Sequence, residues 1–265
     1  MAETVHDGVA LHYEVAGPSD RPLVAFVGDV GYGPWLWGWQ APALTGPWRT
    51  LVWDLPGTGE SDPPPPDCDV GFLVDALETV LAHADVRRTH LVGAGLGGAV
   101  ALAYAHEYGR ARSITCFGTP PRGHDVDEDA LRALAMDPED PARCEQSLDG
   151  AFTHAFRETR PDLVEQICDW RRAEDAVEDD FDRQASACLH FGGVPLHEIT
   201  LPVLVCHGEA DPVVPPGPGR QLARDLPRGR FEPVAGRHCC FVEHSRPVTD
   251  RLVGFLETVA DEDGA

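Results

Sequence analysis

His90-Leu91-Val92-Gly93-Ala94-Gly95-Leu96-Gly97-Gly98-Ala99-Val100 decides the fold. The apolar run His90-Leu91-Val92 stops at closely spaced glycines, and from Ala99 to Tyr108 the chain is rich in alanine and apolar residues. That order reads as strand, tight turn and buried helix. Working outward, Leu23-Val24-Ala25-Phe26-Val27, Thr50-Leu51-Val52-Trp53, Ile114-Thr115-Cys116-Phe117 and Val203-Leu204-Val205-Cys206 are short apolar runs of strand length. Phe72, Leu73, Ala76, Leu77, Val80 and Leu81 recur at helical spacing, so 71–84 reads as an amphipathic helix, and Val248 to Val259 as the last one. Asp7-Gly8 between Thr4-Val5 and Val9–Val15 signals a hairpin. Strands alternating with helices predict a mostly parallel, doubly wound α/β sheet.

Between about residues 122 and 197 the composition turns acidic and helical in pattern, and strand signals fade. We read 1–121 and 198–265 as the α/β core, and 122–197 as a helical cap inserted over the C-terminal edge of the sheet, where ligands bind in such folds.

The chain has 265 residues, 44 of them acidic and 21 basic, for a net charge of −23. Every basic residue is arginine; lysine and asparagine are absent. Such a surface repels nucleic acid and anionic membranes, which argues against both as partners. It is the pattern expected of a salt-accumulating, halophilic organism, where salt screens the self-repulsion; the plainer reading is an acidic protein from a GC-rich genome. No apolar run reaches the roughly 18 residues that span a bilayer, and Met1-Ala2-Glu3-Thr4-Val5-His6 does not open a signal peptide, so a cytoplasmic location is expected. The eight cysteines form no C-x-x-C pair and no common zinc spacing, and are expected to be reduced and mostly buried; Cys239-Cys240 is the pair to watch. No metal or cofactor is expected.

Three further stretches surround the glycine turn. Asp54-Leu55-Pro56-Gly57-Thr58-Gly59-Glu60-Ser61 has the form D-x-x-G-x-G-x-S. Pro202 to Pro215 runs from a strand into His207-Gly208-Glu209-Ala210-Asp211-Pro212. Gly236-Arg237-His238 is followed by Glu243 and Pro247. Together and in this order they resemble the α/β-hydrolase family over nearly the whole chain outside the insertion. The resemblance implies that Gly93-Ala94-Gly95-Leu96-Gly97 is the family's G-x-S-x-G nucleophile elbow, with Gly95 where the serine belongs. Asp211 then takes the acid position and His238 the histidine position. Aligning Trp37 and Gln40 with the aromatic residue and glutamine that follow the family's His-Gly turn puts Gly28 and Asp29 in that turn. Val30 and Leu96 would supply the oxyanion-hole N–H groups.

Glycine has no side chain with which to attack a carbonyl, so serine-type acyl-enzyme chemistry is not expected at Gly95. Its plainer reading is a glycine needed for close helix–strand packing. Asp29 reads either as a new ligand or base group or as a solvated surface carboxylate, with the second favoured. Trp35, Trp37 and Trp39 read as a pocket wall or as packing under the insertion. For function, one reading is a non-catalytic or small-ligand-binding member; the other is an enzyme using Asp211 and His238 as a general-base dyad with no covalent intermediate. Either expects a small-molecule ligand or substrate, and oligomeric state is not readable from the chain.

Overall fold

The computed structural model describes residues 2–137 and 140–264. Its strands are β1 (Ala2–His6), β2 (Val9–Ala16), β3 (Leu23–Val27), β4 (Arg49–Trp53), β5 (Thr89–Ala94), β6 (Ala111–Phe117), β7 (Val203–Gly208) and β8 (Gly229–Val234). They form one sheet in the order β1-β2-β4-β3-β5-β6-β7-β8. β2 is antiparallel to both of its neighbours, and every pairing from β4 across to β8 is parallel. β3, β5 and β7 are buried at every residue, which is why they read as near-continuous apolar runs and not as alternating ones. β2 alternates buried with half-buried positions from Val9 to Tyr13, as a strand near the sheet edge does.

The helices are α1 (Gln40–Leu44), α2 (Val70–His83), α3 (Leu96–Glu107), α4 (Glu128–Arg132), α5 (Pro141–Ala151), α6 (His154–Thr159), α7 (Pro161–Glu174), α8 (Glu178–Leu189), α9 (Pro216–Asp225), α10 (Cys240–Glu243) and α11 (Ser245–Gly264). α2 starts where the Asp69 carboxylate accepts the Phe72 N–H, so a capping side chain sets its first turn. α3 is buried from Leu96 to Tyr104, as its alanine-rich sequence requires of a helix packed on the sheet. The segment between β6 and β7 carries α4 to α8 and no strand among its described residues.

β8 and α9 were not among the expected elements. β8 is a half-buried edge strand containing Pro233, and α9 opens on Pro216-Gly217-Pro218-Gly219, so neither carries a clean apolar period. The expectation of eight reduced cysteines also needs correction. Cys144 on α5 and Cys168 on α7 are joined as a disulfide, while Cys68, Cys116, Cys188, Cys206, Cys239 and Cys240 are free and buried. Cysteines 24 residues apart on two packed helices leave no spacing signal to read.

Candidate active site

Neighbouring strands end at one edge of the sheet, and their loops meet there. β3 runs into Gly28-Asp29-Val30, β5 into Gly95, β7 into Asp211 and β8 into His238. The turn after β5 is tight because α3 crosses close to β3. A Cβ on Gly97 would lie 2.2 Å from the Gly28 carbonyl oxygen, so only glycine lets the helix start there. Gly95 caps α3 with φ of +44° and ψ of −111°, and its N–H donates to the Phe117 carbonyl at 2.9 Å.

Asp29 sits at the centre of this edge. Its Oδ1 accepts the backbone N–H of Val30 at 2.7 Å and of Leu96 at 2.9 Å. Its Oδ2 accepts from Nε2 of His238 at 2.7 Å. On the far side of the ring, Nδ1 of His238 donates to Oδ2 of Asp211 at 2.8 Å. The other Asp211 oxygen, Oδ1, accepts the N–H groups of Val213 and Val214 at 2.9 and 3.1 Å. Asp29, His238 and Asp211 are only 3, 3 and 4 % exposed, so the three form a buried, hydrogen-bonded line. The favoured reading of Asp29 as a solvated surface carboxylate is thereby corrected. The misreading arose because the sequence cannot show a side chain turning inward to satisfy two backbone donors.

Gly95 and Asp29 contend for one volume. A Cβ on Gly95 would fall 1.9 Å from Oδ1 of Asp29 and 2.2 Å from its Cγ. The carboxylate of residue 29 therefore fills the space that a side chain on residue 95 would enter.

Burial works against a charged His238, but the Asp211 carboxylate, its hydrogen bond and the Asp29 carboxylate outweigh it, and the imidazole is pushed up to about 10. With a carboxylate on each ring nitrogen, both nitrogens donate and the ring is an imidazolium at neutral pH. Beside it, His207 is pulled down by burial, and its Nε2 lies 2.7 Å from the Val214 carbonyl oxygen. Cys188 and Cys239 are raised by burial and then by the charge of Asp29, which places both thiols near it.

The segment between β6 and β7 makes contacts with the loops of the centre. The Gly31 N–H donates to Oε1 of Gln184 on α8 at 2.7 Å, and Nε2 of Gln184 donates to the Pro56 carbonyl at 2.8 Å. Phe181, also on α8, presses on Gly31 so closely that a Cβ there would lie 2.4 Å from its ring. At the end of α5, the Gly150 and Ala151 carbonyls accept the N–H groups of His238 and Cys239. Arg171 on α7 is buried, its Nε donating to Asp175 Oδ2 at 2.6 Å and its Nη2 to the Leu134 carbonyl at 2.8 Å. Sequence reading missed Gln184, Phe181 and Arg171, since contacts across 153 residues leave no local signal.

Trp37 lies at 1 % exposure among Phe26, Phe117 and Phe241, and Gln40 donates to the Phe241 carbonyl at 2.7 Å. Trp37 thus packs against three aromatic rings. Trp35 and Trp39 contact Trp170 of α7, and Trp35 Nε1 donates to Asp175. Trp35 and Trp37 also border a cleft of about 710 Å³ with His12, Asp54 and Glu174. A second cavity, of about 610 Å³, is lined by Pro121, Arg122 and Pro195 among others, and neither lining includes Asp29, Gly95, Asp211 or His238. The Asp54 loop is held by its own bonds, with Asp54 Oδ2 on His12 Nδ1 at 2.8 Å and on the Glu60 N–H at 3.0 Å. Among the described residues no helix is long and apolar enough to cross a membrane, and no group of three or more His, Cys, Asp or Glu is placed to hold a metal ion.

Comparison with known proteins extends these observations. The sequence is 22 % identical over 262 residues to 3-oxoadipate enol-lactonase 1 of Acinetobacter baylyi, covering 97 % of this chain and 96 % of that one. It is 26 % identical over 220 residues to the serine hydrolase BPHL of Homo sapiens, covering 81 % of this chain and 71 % of the other. The structure matches the enol-lactonase of Burkholderia xenovorans with a TM-score of 0.82 at 23 % identity, over 97 % of this chain and 100 % of that one. Residues 24–251 match the family model described as the alpha/beta hydrolase family. With that match covering most of the chain and a sheet that is parallel from β4 to β8, the chain belongs to the α/β hydrolase family.

Proposed function

We propose that this protein handles a small molecule at the Asp29–His238–Asp211 centre and does not act as a serine hydrolase. One observation carries the reading: the position that would hold the nucleophile is Gly95, and the Asp29 carboxylate stands in the space above it, already bonded to the Val30 and Leu96 N–H groups. Those two groups are the donors that would stabilise a tetrahedral oxyanion. With a carboxylate seated on them, an acyl substrate finds neither a hydroxyl to attack it nor a free anion hole.

The general-base reading is less well supported. His238 is held as an imidazolium by two carboxylates, so it has a proton to give and none to take while Asp29 is charged. The burial of three ionisable groups in one line still favours a working site over a relic. Buried charges are costly even when paired, and perturbed groups of this kind cluster at functional centres. We propose in addition that the segment carrying α4 to α8 acts as a cap over the site, and that the lysine-free acidic surface suits concentrated salt.

The test is labelling with a fluorophosphonate probe together with hydrolysis of activated aryl esters. Neither is expected above background. Covalent labelling at any pocket residue, with matching esterase activity, overturns the reading.

A further inference from the structure

The face of β2 that carries His12, Glu14 and Ala16 lies opposite the one that buries Leu11 and Tyr13, and it is left half-buried or exposed. Glu14 pairs with Val52 and Ala16 with Thr50 across to β4, and the Asp54 N–H donates to the His12 carbonyl at 3.1 Å. These paired side chains form the floor of the cleft of about 710 Å³. The short helix Pro34–Trp37, the Gly59-Glu60 turn and the end of α7 at Ala173-Glu174 form its walls. None of Asp29, Gly95, Asp211 and His238 borders it, so its chemistry is separate from the centre above.

The cleft carries charge of one sign. Glu14, Asp54, Glu60 and Glu174 line it, and no arginine does. A cleft lined in this way focuses its field inward. Burial, and then the charges of Asp175, Asp54 and Glu14, push the Glu174 carboxyl above its ordinary value, although it accepts the Trp35 N–H at 2.8 Å. A cation placed between such carboxylates relieves their repulsion.

Two further polar groups on the wall lack a partner. Oδ2 of Asp54 accepts both from His12 Nδ1 at 2.8 Å and from the Glu60 N–H at 3.0 Å, which fixes the proton of a neutral His12 ring on Nδ1. Nε2 of that ring then has an open lone pair with no partner among the described residues, and the side chain, 12 % exposed, borders the cleft. Trp37 borders it as well, and its buried Nε1–H has no hydrogen-bond partner among the described residues. A buried donor without an acceptor is costly, and a ligand atom that accepts from it removes that cost.

We infer that this cleft is a binding site for a small protonated amine with a flat apolar body and an oxygen acceptor. The ammonium group is held by Glu14, Asp54 and Glu174 and donates to Nε2 of His12. The apolar body lies against Val52, Ala41 and the indole of Trp35, and an indole also attracts a cation to its face. The oxygen accepts from the Trp37 Nε1–H. A carboxylate-bearing molecule of the same shape meets only repulsion here.

Tyramine supplies all three parts, and calorimetry of the wild-type protein in dilute buffer should find one saturable site per chain. 4-Ethylphenol, which lacks the amine, should bind at least about tenfold more weakly, because it gives up both the carboxylates and the cation–indole attraction. Phenethylamine, which lacks the oxygen, should bind at least about threefold more weakly, the effect of one net hydrogen bond. In nitrogen-resolved NMR the indole N–H signals of Trp35 and Trp37 should move more than that of Trp48, which does not line the cleft. Glu14 and Glu60 are exposed, so the double variant Glu14→Gln with Glu60→Gln tests the charges without disturbing the fold. It should weaken tyramine binding at least about threefold. Glu107→Gln with Glu257→Gln removes the same charge from exposed positions elsewhere and should leave the affinity unchanged. No saturable tyramine binding, equal affinity for either comparison compound, stationary Trp35 and Trp37 signals, or equal losses in the two double variants overturns the inference.

Discussion

Gly95 and Asp29 make sense only as a pair. Glycine relieves the turn of a Cβ at φ of +44°, where another residue costs about 1–3 kcal/mol, and it leaves room for a carboxylate that would otherwise lie 1.9 Å from that Cβ. Gly95→Ser should therefore lower the thermal midpoint through both strain and collision. Adding Asp29→Gly should recover part of the loss, with a coupling of at least about 1 kcal/mol between the two sites. The same double variant frees both N–H donors and sets a hydroxyl near His238, so it should cleave activated esters at least about tenfold faster than Gly95→Ser alone, roughly 1.4 kcal/mol of barrier. Strictly additive stabilities and equal ester rates would mean that the carboxylate does not occupy the elbow. His238 gives a second residue-scale expectation. Its folded value near 10 lies above the ordinary 6.5 of an exposed imidazole, so the stability it contributes is full below about 6.5 and is lost as pH rises toward 10. The groups that face it are Asp29 and Asp211, with His207 behind them. Urea titrations from pH 6.5 to 10 should show falling stability in the wild type and a shallower fall in Asp29→Asn; identical slopes would contradict the pairing.

At the scale of elements, the Cys144–Cys168 link fastens α5 to α7. α5 supplies the carbonyls that accept from His238 and Cys239, while Asp175, just past the end of α7, accepts from the Gly33 N–H and from Trp35. Closing a loop over 24 residues restrains the unfolded chain by up to about 3.5 kcal/mol. Thiol titration of the unreduced, denatured protein should therefore find six free cysteines of the eight, and reduction should lower the thermal midpoint. Eight titratable thiols with no change on reduction would sink this point. The disulfide also marks where legibility ended. β3, β5 and β7 were readable because strands buried on both faces must be apolar throughout. Asp211 and His238 were readable because each follows a strand in a loop of recognisable composition. The inward turn of Asp29, the contacts of Gln184 and Phe181 with Gly31, and the α5–α7 link arise from contacts between distant segments that no local period encodes.

Over the whole molecule, a net charge of −23 with no lysine makes self-repulsion the dominant long-range force. Potassium chloride at about 2 M, where screening acts within a few ångströms, should raise the thermal midpoint. An unchanged midpoint would show that the acidic surface carries no such dependence. The buried line from Asp29 through His238 to Asp211 should be nearly indifferent to the same salt, since buried pairs are screened far less than exposed charges. Nitrogen-resolved NMR of the His238 ring reports directly whether both ring nitrogens carry protons. An imidazolium with Nδ1 and Nε2 both protonated is expected at pH 8, losing a proton only near 10, and titrating lower in Asp29→Asn. A ring that is neutral at pH 8 and titrates near 6.5, unaffected by Asp29→Asn, would contradict it.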